Sequence, residues 1–142
     1  YGSSKRKASE YIINNTTNTK ILKTSIIGPE LNSKLSLFEW FLSQKGEIFG
    51  YTKAMWNGNT TFQWAKQCLY LIKNWDNHKI LSILEGETIS KYDMLCLFKD
   101  NFYGQANIIP KEVGKNKCLK GDIKTPPLIE QLNELKSFYY DS

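Results

Sequence analysis

Apolar residues recur along this chain at three- and four-residue spacing in several blocks, separated by short clusters of Gly, Pro, Asn, Asp and Thr. In the block from Glu30 to Lys45, the spacing of Leu31, Leu35, Phe38 and Leu42, with Leu37 and Phe41 alongside, predicts an amphipathic helix closed by Gly46. Glu47 to Trp56 breaks that period and is rich in β formers, which predicts a strand entering a tight turn at Asn57-Gly58. Thr60 or Thr61 caps the next helix, Phe62 to about Asn74. Its apolar residues cover nearly the whole circumference, the mark of a central helix. Lys79 to Leu84 is a short apolar run, a strand or one helical turn, ended by Gly86. Ser90 and Asp93 form a capping-box-like start for a helix reaching Phe102.

Beyond Gly104, Ala106–Ile109 and Lys117–Ile123 read as two strands of a hairpin joined by a basic turn over Pro110–Asn116. Thr125-Pro126-Pro127 then opens a closing helix whose stripe includes Leu128, Leu132, Leu135 and Tyr139. The first 27 residues lack a sustained apolar stripe, and Asn14 to Thr19 is a polar breaker cluster. Residues 1–27 are therefore expected as a basic arm, extended or partly disordered. Gly28-Pro29 bounds it from a single globular domain over 28–142. The fold class expected is α+β, mainly helical with a small β-hairpin. Its order of elements resembles the winged-helix arrangement, which implies a hairpin wing at a nucleic-acid surface. The resemblance is one of order alone, because Lys91 and Lys99 of the candidate recognition helix are offset by Asp93 and Asp100.

Composition narrows the classes. A length of 142 residues suits one domain, and no run of about 18 apolar residues suggests a membrane span. The chain opens at Tyr1 instead of Met, as a piece of a longer protein would. Net charge is +5, with 19 Lys and Arg against 14 Asp and Glu, and Arg6 is the only arginine. The excess is regional: Lys5, Arg6 and Lys7 in the arm, and Lys111, Lys115, Lys117 and Lys120 in the wing. Lysines act as phosphate-directed point charges, so they favour contacts without base specificity. The three cysteines, Cys68, Cys96 and Cys118, are odd in number and too widely spaced for a zinc pattern. They imply an intracellular, reducing setting, and a nuclear one would suit a nucleic-acid assembly.

Catalytic motifs are scarce. His78 has no nearby nucleophile, and neither a P-loop nor GxGxxG occurs. Asp122-Ile123-Lys124 and Glu134-Leu135-Lys136 are the nuclease-like carboxylate and lysine pairs, a minor alternative. The reading is a non-catalytic domain in a nucleic-acid-associated assembly, with no cofactor and no metal. Its alternative is a protein-interaction domain that uses exposed aromatics, Trp56, Tyr139 and Tyr140. All four tryptophans lie between Trp40 and Trp75, and Trp56 alone sits beside a predicted turn tip. Trp40, Trp64 and Trp75 are expected to build the core.

Overall fold

A computed structural model describes residues 2–140; Tyr1, Asp141 and Ser142 lie outside the described residues. Gly2–Asn15 form α1, followed by two short strands, β1 (Ile21–Lys23) and β2 (Ile26–Ile27). Then come α2 (Leu37–Ser43), β3 (Glu47–Tyr51), β4 (Met55–Trp56), β5 (Asn59–Thr60) and α3 (Thr61–Lys73). A single 3-10 turn at Trp75–Asn77 leads into β6 (Leu81–Glu85), β7 (Ile89–Ser90) and α4 (Lys91–Phe102). The described chain closes with β8 (Asn107–Lys111), β9 (Ile123–Lys124) and α5 (Leu128–Tyr140).

Parallel pairing dominates. β1, β6 and β9 make a three-stranded parallel sheet, with Ile21 opposite Leu81 and Leu84 opposite Ile123. β2 pairs with β5 and β3 with β8, both parallel, while β4 and β7 form the one antiparallel pair among the described residues. Parallel neighbours need crossover connections, and α3 and α4 lie in them. The fold is thus α/β, which corrects the expected winged-helix-like α+β class. The expected hairpin does not form: β8 joins β3 and β9 joins β6, so residues 112–122 are a long loop, not a wing.

The segment expected as an arm is helical over α1, where Arg6 pairs with Glu10 at 2.9 Å and the Ser9 hydroxyl donates to the Lys5 carbonyl. Residues 21–27 contribute β1 and β2 to the parallel ladders. The helix expected from Glu30 starts only at Leu37. Ser36 is its N-cap, accepting from the Glu39 N–H, and the Glu30 carboxylate accepts from the Ser33 hydroxyl (2.8 Å) and the Leu35 N–H (2.7 Å). These local bonds compete with a helical backbone, so Leu31 and Leu35 end 95% and 90% exposed instead of in the core. The capping expectations at Thr60 and Ser90 match the structure: their hydroxyls accept from Gln63 N–H and Asp93 N–H.

The core lies among α2, α4 and α5. Phe38 and Phe41 meet Phe98 and Leu132, all fully buried, and Phe38 stands edge-on to Phe98 and Phe102 with ring centroids 5.1 and 4.9 Å away. A satisfied polar network joins the strands to α5: the buried Asn59 donates to Thr24 and accepts from Thr125 and Gln131, while Gln131 accepts from the Thr60 N–H. Asp122 fastens β9 beside β6, its carboxylate accepting from the Ile83 N–H at 2.7 Å. That bond, then a bond to Lys79, holds the Asp122 carboxyl below its ordinary range. A depressed carboxyl contributes stability above its unfolded pKa and loses it as pH falls through the folded value. Asp122→Asn is therefore expected to flatten the acid limb of the stability curve below about pH 4, measured by urea unfolding across pH 2–6. An unchanged acid limb would show that the bond contributes nothing to acid sensitivity.

Among the described residues no helix is long and apolar enough to cross a membrane.

Candidate functional site

In open α/β sheets, ligands bind in the crevice beyond the carboxyl ends of the strands. Here β1 ends at Lys23, and Ser25, Ile26 and Ile27 immediately line a cleft of about 560 Å³. That volume falls in the range of small-molecule sites. Its floor is apolar and buried: Ile27, Ala54, Trp56 and Met94. Its rim is basic, with Lys91 half-buried and Lys115 and Lys117 exposed. No carboxylate and no histidine is among the described lining residues. Such a wall attracts an anion and packs an apolar or stacked group, and the one phenol among its described lining residues is Tyr51.

The lysines owe their position to a loop that is pinned along its length. Lys53 N–H donates to the Val113 carbonyl (3.2 Å) and Lys117 N–H to the Met55 carbonyl (3.0 Å). Asn57, expected at a surface turn, is buried and grips the Leu119 backbone from both sides, donating to its carbonyl and accepting from its N–H at 2.7 Å each. Further along, the Glu85 carboxylate accepts from the Gly121 N–H and pairs with Lys124. The Lys124 bond, then the Gly121 bond, lowers the Glu85 pKa. Gly114 has a positive φ of 128°, and a Cβ there would strike the Ala54 backbone, so the loop approaches β4 closely only because this position is glycine.

Trp56 is the main correction within the cleft. It is 9% exposed, and its Nε1–H donates to the Ser25 hydroxyl at 2.8 Å, bridging β4 to the segment after β1. Gly58 leaves the space this needs, since a Cβ there would meet the Ser25 carbonyl and the Trp56 ring. Trp40 and Trp64, expected in the core, are each 38% exposed. Trp75 is half-buried and donates to the Asn18 side chain.

The other expected site residues are scattered. Lys5, Arg6 and Lys7 lie on α1, Lys111 sits over the Phe49 ring at 4.9 Å, and Lys120 is exposed in the loop. Of the seven expected phosphate-contacting residues, only Lys115 and Lys117 line the cleft. Tyr139 and Tyr140 end α5, about half exposed, where Tyr139 packs on Phe138 and Tyr140 on Phe102. Burial pushes the Tyr140 phenol up. The nuclease-like pairs are separated by their own partners, Asp122 on β6 and Glu134 on Lys66 at 2.6 Å. All three cysteines are free thiols, and burial raises the pKa of Cys68 and Cys96.

Solved structures match this arrangement over almost its whole length. The dTDP-4-dehydrorhamnose reductase of Bacillus anthracis, in complex with NADP, superposes with a TM-score of 0.81 at 13% identity, over 98% of this chain and 55% of that one. The fold is that of NADP-binding reductases. An ortholog of the same reductase from Clostridium acetobutylicum gives 0.78 at 15% identity, over 97% and 55%. A GDP-mannoheptose C4 reductase from Campylobacter jejuni, with NADP bound, gives 0.55 at 15%, over 93% and 54%. The chain spans about half the length of the structures it matches. No protein-family model matches it, and no curated protein does. These matches overturn the expectation of a non-catalytic nucleic-acid-contacting domain, and with it the interaction-domain and nuclease alternatives.

Sequence reasoning missed Lys91, which it placed in a recognition helix, and Ser25.

Proposed function

We propose that this chain forms the substrate-binding half of an NADP-dependent reductase acting on a nucleoside-diphosphate sugar in a reducing, intracellular setting. The observation that supports it best is the basic, carboxylate-free cleft past the carboxyl end of β1, in a fold shared with NADP-bound reductases. A sugar nucleotide combines a diphosphate with flat and apolar surfaces. Lys91, Lys115 and Lys117 would take the diphosphate, and Trp56, Met55 and Met94 would pack the rest.

The cofactor is a separate matter. A dinucleotide pyrophosphate is held by a glycine-rich turn opening a helix, G-x-G-x-x-G, and this chain has none. The residues present do not fit that part of NADP, so no step is assigned to the cofactor here.

Reduction of a sugar carbonyl leaves a proton on its oxygen, which requires a donor. The described cleft lining has neither carboxylate nor histidine for this, and the pair proposed for it is Tyr1 and Lys5, a phenol and an ammonium four residues apart in the sequence. A phenol O–H is one of the groups that can hand a proton to such an oxygen. Tyr1→Phe in the native protein is expected to lower kcat by about 10²- to 10⁴-fold with the affinity for the sugar nucleotide unchanged. Steady-state kinetics alongside equilibrium binding checks this, and undiminished kcat would remove Tyr1 from the reaction.

A further inference from the structure

One face of the β3–β8 ladder is turned outward beside the cleft. Residues i and i+2 of a strand share a face about 7 Å apart, so Phe49 and Tyr51 lie together on β3, with Ile109 and Lys111 opposite them on β8 in the parallel register. The other face is taken up by packing: a Cβ at Gly50 would strike Tyr92 of α4, and Ile48 and Ile108 rest against the core cluster. Phe49 and Tyr51 are left 56% and 41% exposed. The Lys111 ammonium stands over the Phe49 ring, which leaves Tyr51 as the freer of the two. The Thr52 N–H donates to the Lys111 carbonyl at 3.0 Å and holds this end of β3 to β8. Tyr51 also lines the cleft together with Lys91, Lys115 and Lys117, so the aromatic ledge runs into the anion-attracting rim.

The cleft itself is poorly furnished to hold the edge of a nucleobase. Every base edge carries at least one N–H donor, and a donor that leaves water without finding an acceptor weakens binding. The described lining has no carboxylate, carboxamide or imidazole side chain. Its backbone acceptors are engaged: the Ser25, Ala54 and Met55 carbonyls accept from the N–H groups of Asn59 (2.8 Å), Lys91 (3.0 Å) and Lys117 (3.0 Å). The Ser25 hydroxyl accepts from the Trp56 Nε1–H, and the Ser36 hydroxyl accepts from the Glu39 N–H. An aromatic ledge makes no such demand, because it takes the face of a flat ring and leaves the polar edge in water.

We propose that Tyr51 is the nucleobase-stacking residue of the sugar-nucleotide site, with Phe49 extending its ledge, and that the site is therefore indifferent to which base the ligand carries. The inference rests on the nucleoside-diphosphate-sugar reading above and divides that ligand among three surfaces: the sugar on the apolar floor, the diphosphate on the lysine rim and the base on Tyr51. The rim lysines share the cleft lining with Tyr51, so a diphosphate held by them delivers the base to the ledge. Stacking tolerates any base because each has a π face. Discrimination requires donors and acceptors set along the edge of the base, and the described lining has no free set of them. A protein surface fits the ledge less well: its strip of three apolar side chains ends at Lys111 and at the Lys53–Glu112 ion pair, too small for a stable interface.

The test is calorimetric titration of the native protein and its Tyr51→Ala, Tyr51→Phe and Tyr103→Ala variants with dTDP-glucose, UDP-glucose, GDP-glucose and ADP-glucose, and with inorganic pyrophosphate as the base-free probe. The four sugar nucleotides are expected to bind the unsubstituted protein within about fivefold of one another, and Tyr51→Ala to weaken each of them about tenfold. Tyr51→Phe should keep every affinity within about twofold, because the ring and not the hydroxyl carries the contact. Pyrophosphate affinity should not change in Tyr51→Ala, which also shows that the cleft remains folded. Tyr103→Ala, at an 80% exposed ring beyond the end of α4, should change nothing. A spread among the bases well beyond fivefold, a Tyr51→Ala loss shared by pyrophosphate, or a loss in Tyr51→Phe as large as in Tyr51→Ala overturns the inference. Sugar nucleotides that bind the unsubstituted protein and ignore Tyr51→Ala remove the stacking ledge alone. If none of the four binds, the substrate reading falls and the ledge with it.

Discussion

Replacing Trp56 with Ala is expected to lower the stability of the domain by about 3–5 kcal/mol, the cost of emptying a buried aromatic site. The indole is 9% exposed, lies against the core cluster that includes Ile27 and Met94, and donates to the Ser25 hydroxyl. Truncation removes the packing, opens a void beneath the cleft and leaves the Ser25 hydroxyl without its donor. Surroundings can close the void only in part, because Gly58 and the Asn57–Leu119 bonds fix the backbone on either side. Urea denaturation should show a lower midpoint at an unchanged slope. A loss of only a few tenths of a kcal/mol would mean that Trp56 is a surface residue, as its place before Asn57-Gly58 suggests from sequence. Trp64→Ala, at a 38% exposed site on the bare face of α3, serves as the contrast and should cost much less.

The largest effect on binding is expected from Lys115→Ala combined with Lys117→Ala. A charge-assisted contact to a phosphate contributes about 1.5 kcal/mol, so each removal should weaken a nucleoside-diphosphate sugar about tenfold and the pair about a hundredfold. Both side chains are exposed, so the fold should lose no more than about 0.5 kcal/mol. Isothermal titration at two salt concentrations checks both parts, because removing ionic contacts also flattens the salt dependence. Equal affinity in the double variant would place the diphosphate elsewhere. Lys5→Ala with Lys7→Ala, on α1 and off the described cleft lining, should leave the affinity of the sugar nucleotide nearly unchanged.

The helices that pack were legible in the sequence because each carries its own signal. α3, α4 and α5 combine a three-four apolar period with a Thr, Ser or Pro start, and their observed bounds fall within a residue or two of the expected ones. The sheets were not legible, for a physical reason: strands of two to five residues have no period of their own, and parallel partners such as β1 and β6 lie far apart in sequence. Adjacent strand-like runs suggest a hairpin by default, which is how β8 and the segment before β9 suggested a wing. Leu31 and Leu35 fit a helical stripe, yet the Glu30 side chain takes that backbone into a loop. The cleft draws on residues 25–27, 36–37, 51–56, 91–94 and 114–117, so no contiguous motif announces it. Lys115 and Lys117, expected on a wing, line the cleft instead, because the loop that carries them is pinned to β4 and not paired as a hairpin.

The most direct measurement of the substrate-cleft reading is a two-dimensional NMR titration of this chain with dTDP-glucose. Saturable shifts are expected for the amides of Ser25, Ile26, Ala54, Gly114 and Lys117 and for the Trp56 indole N–H, with the end of α5 unmoved. Shifts confined to α1, or none at millimolar ligand, would contradict it.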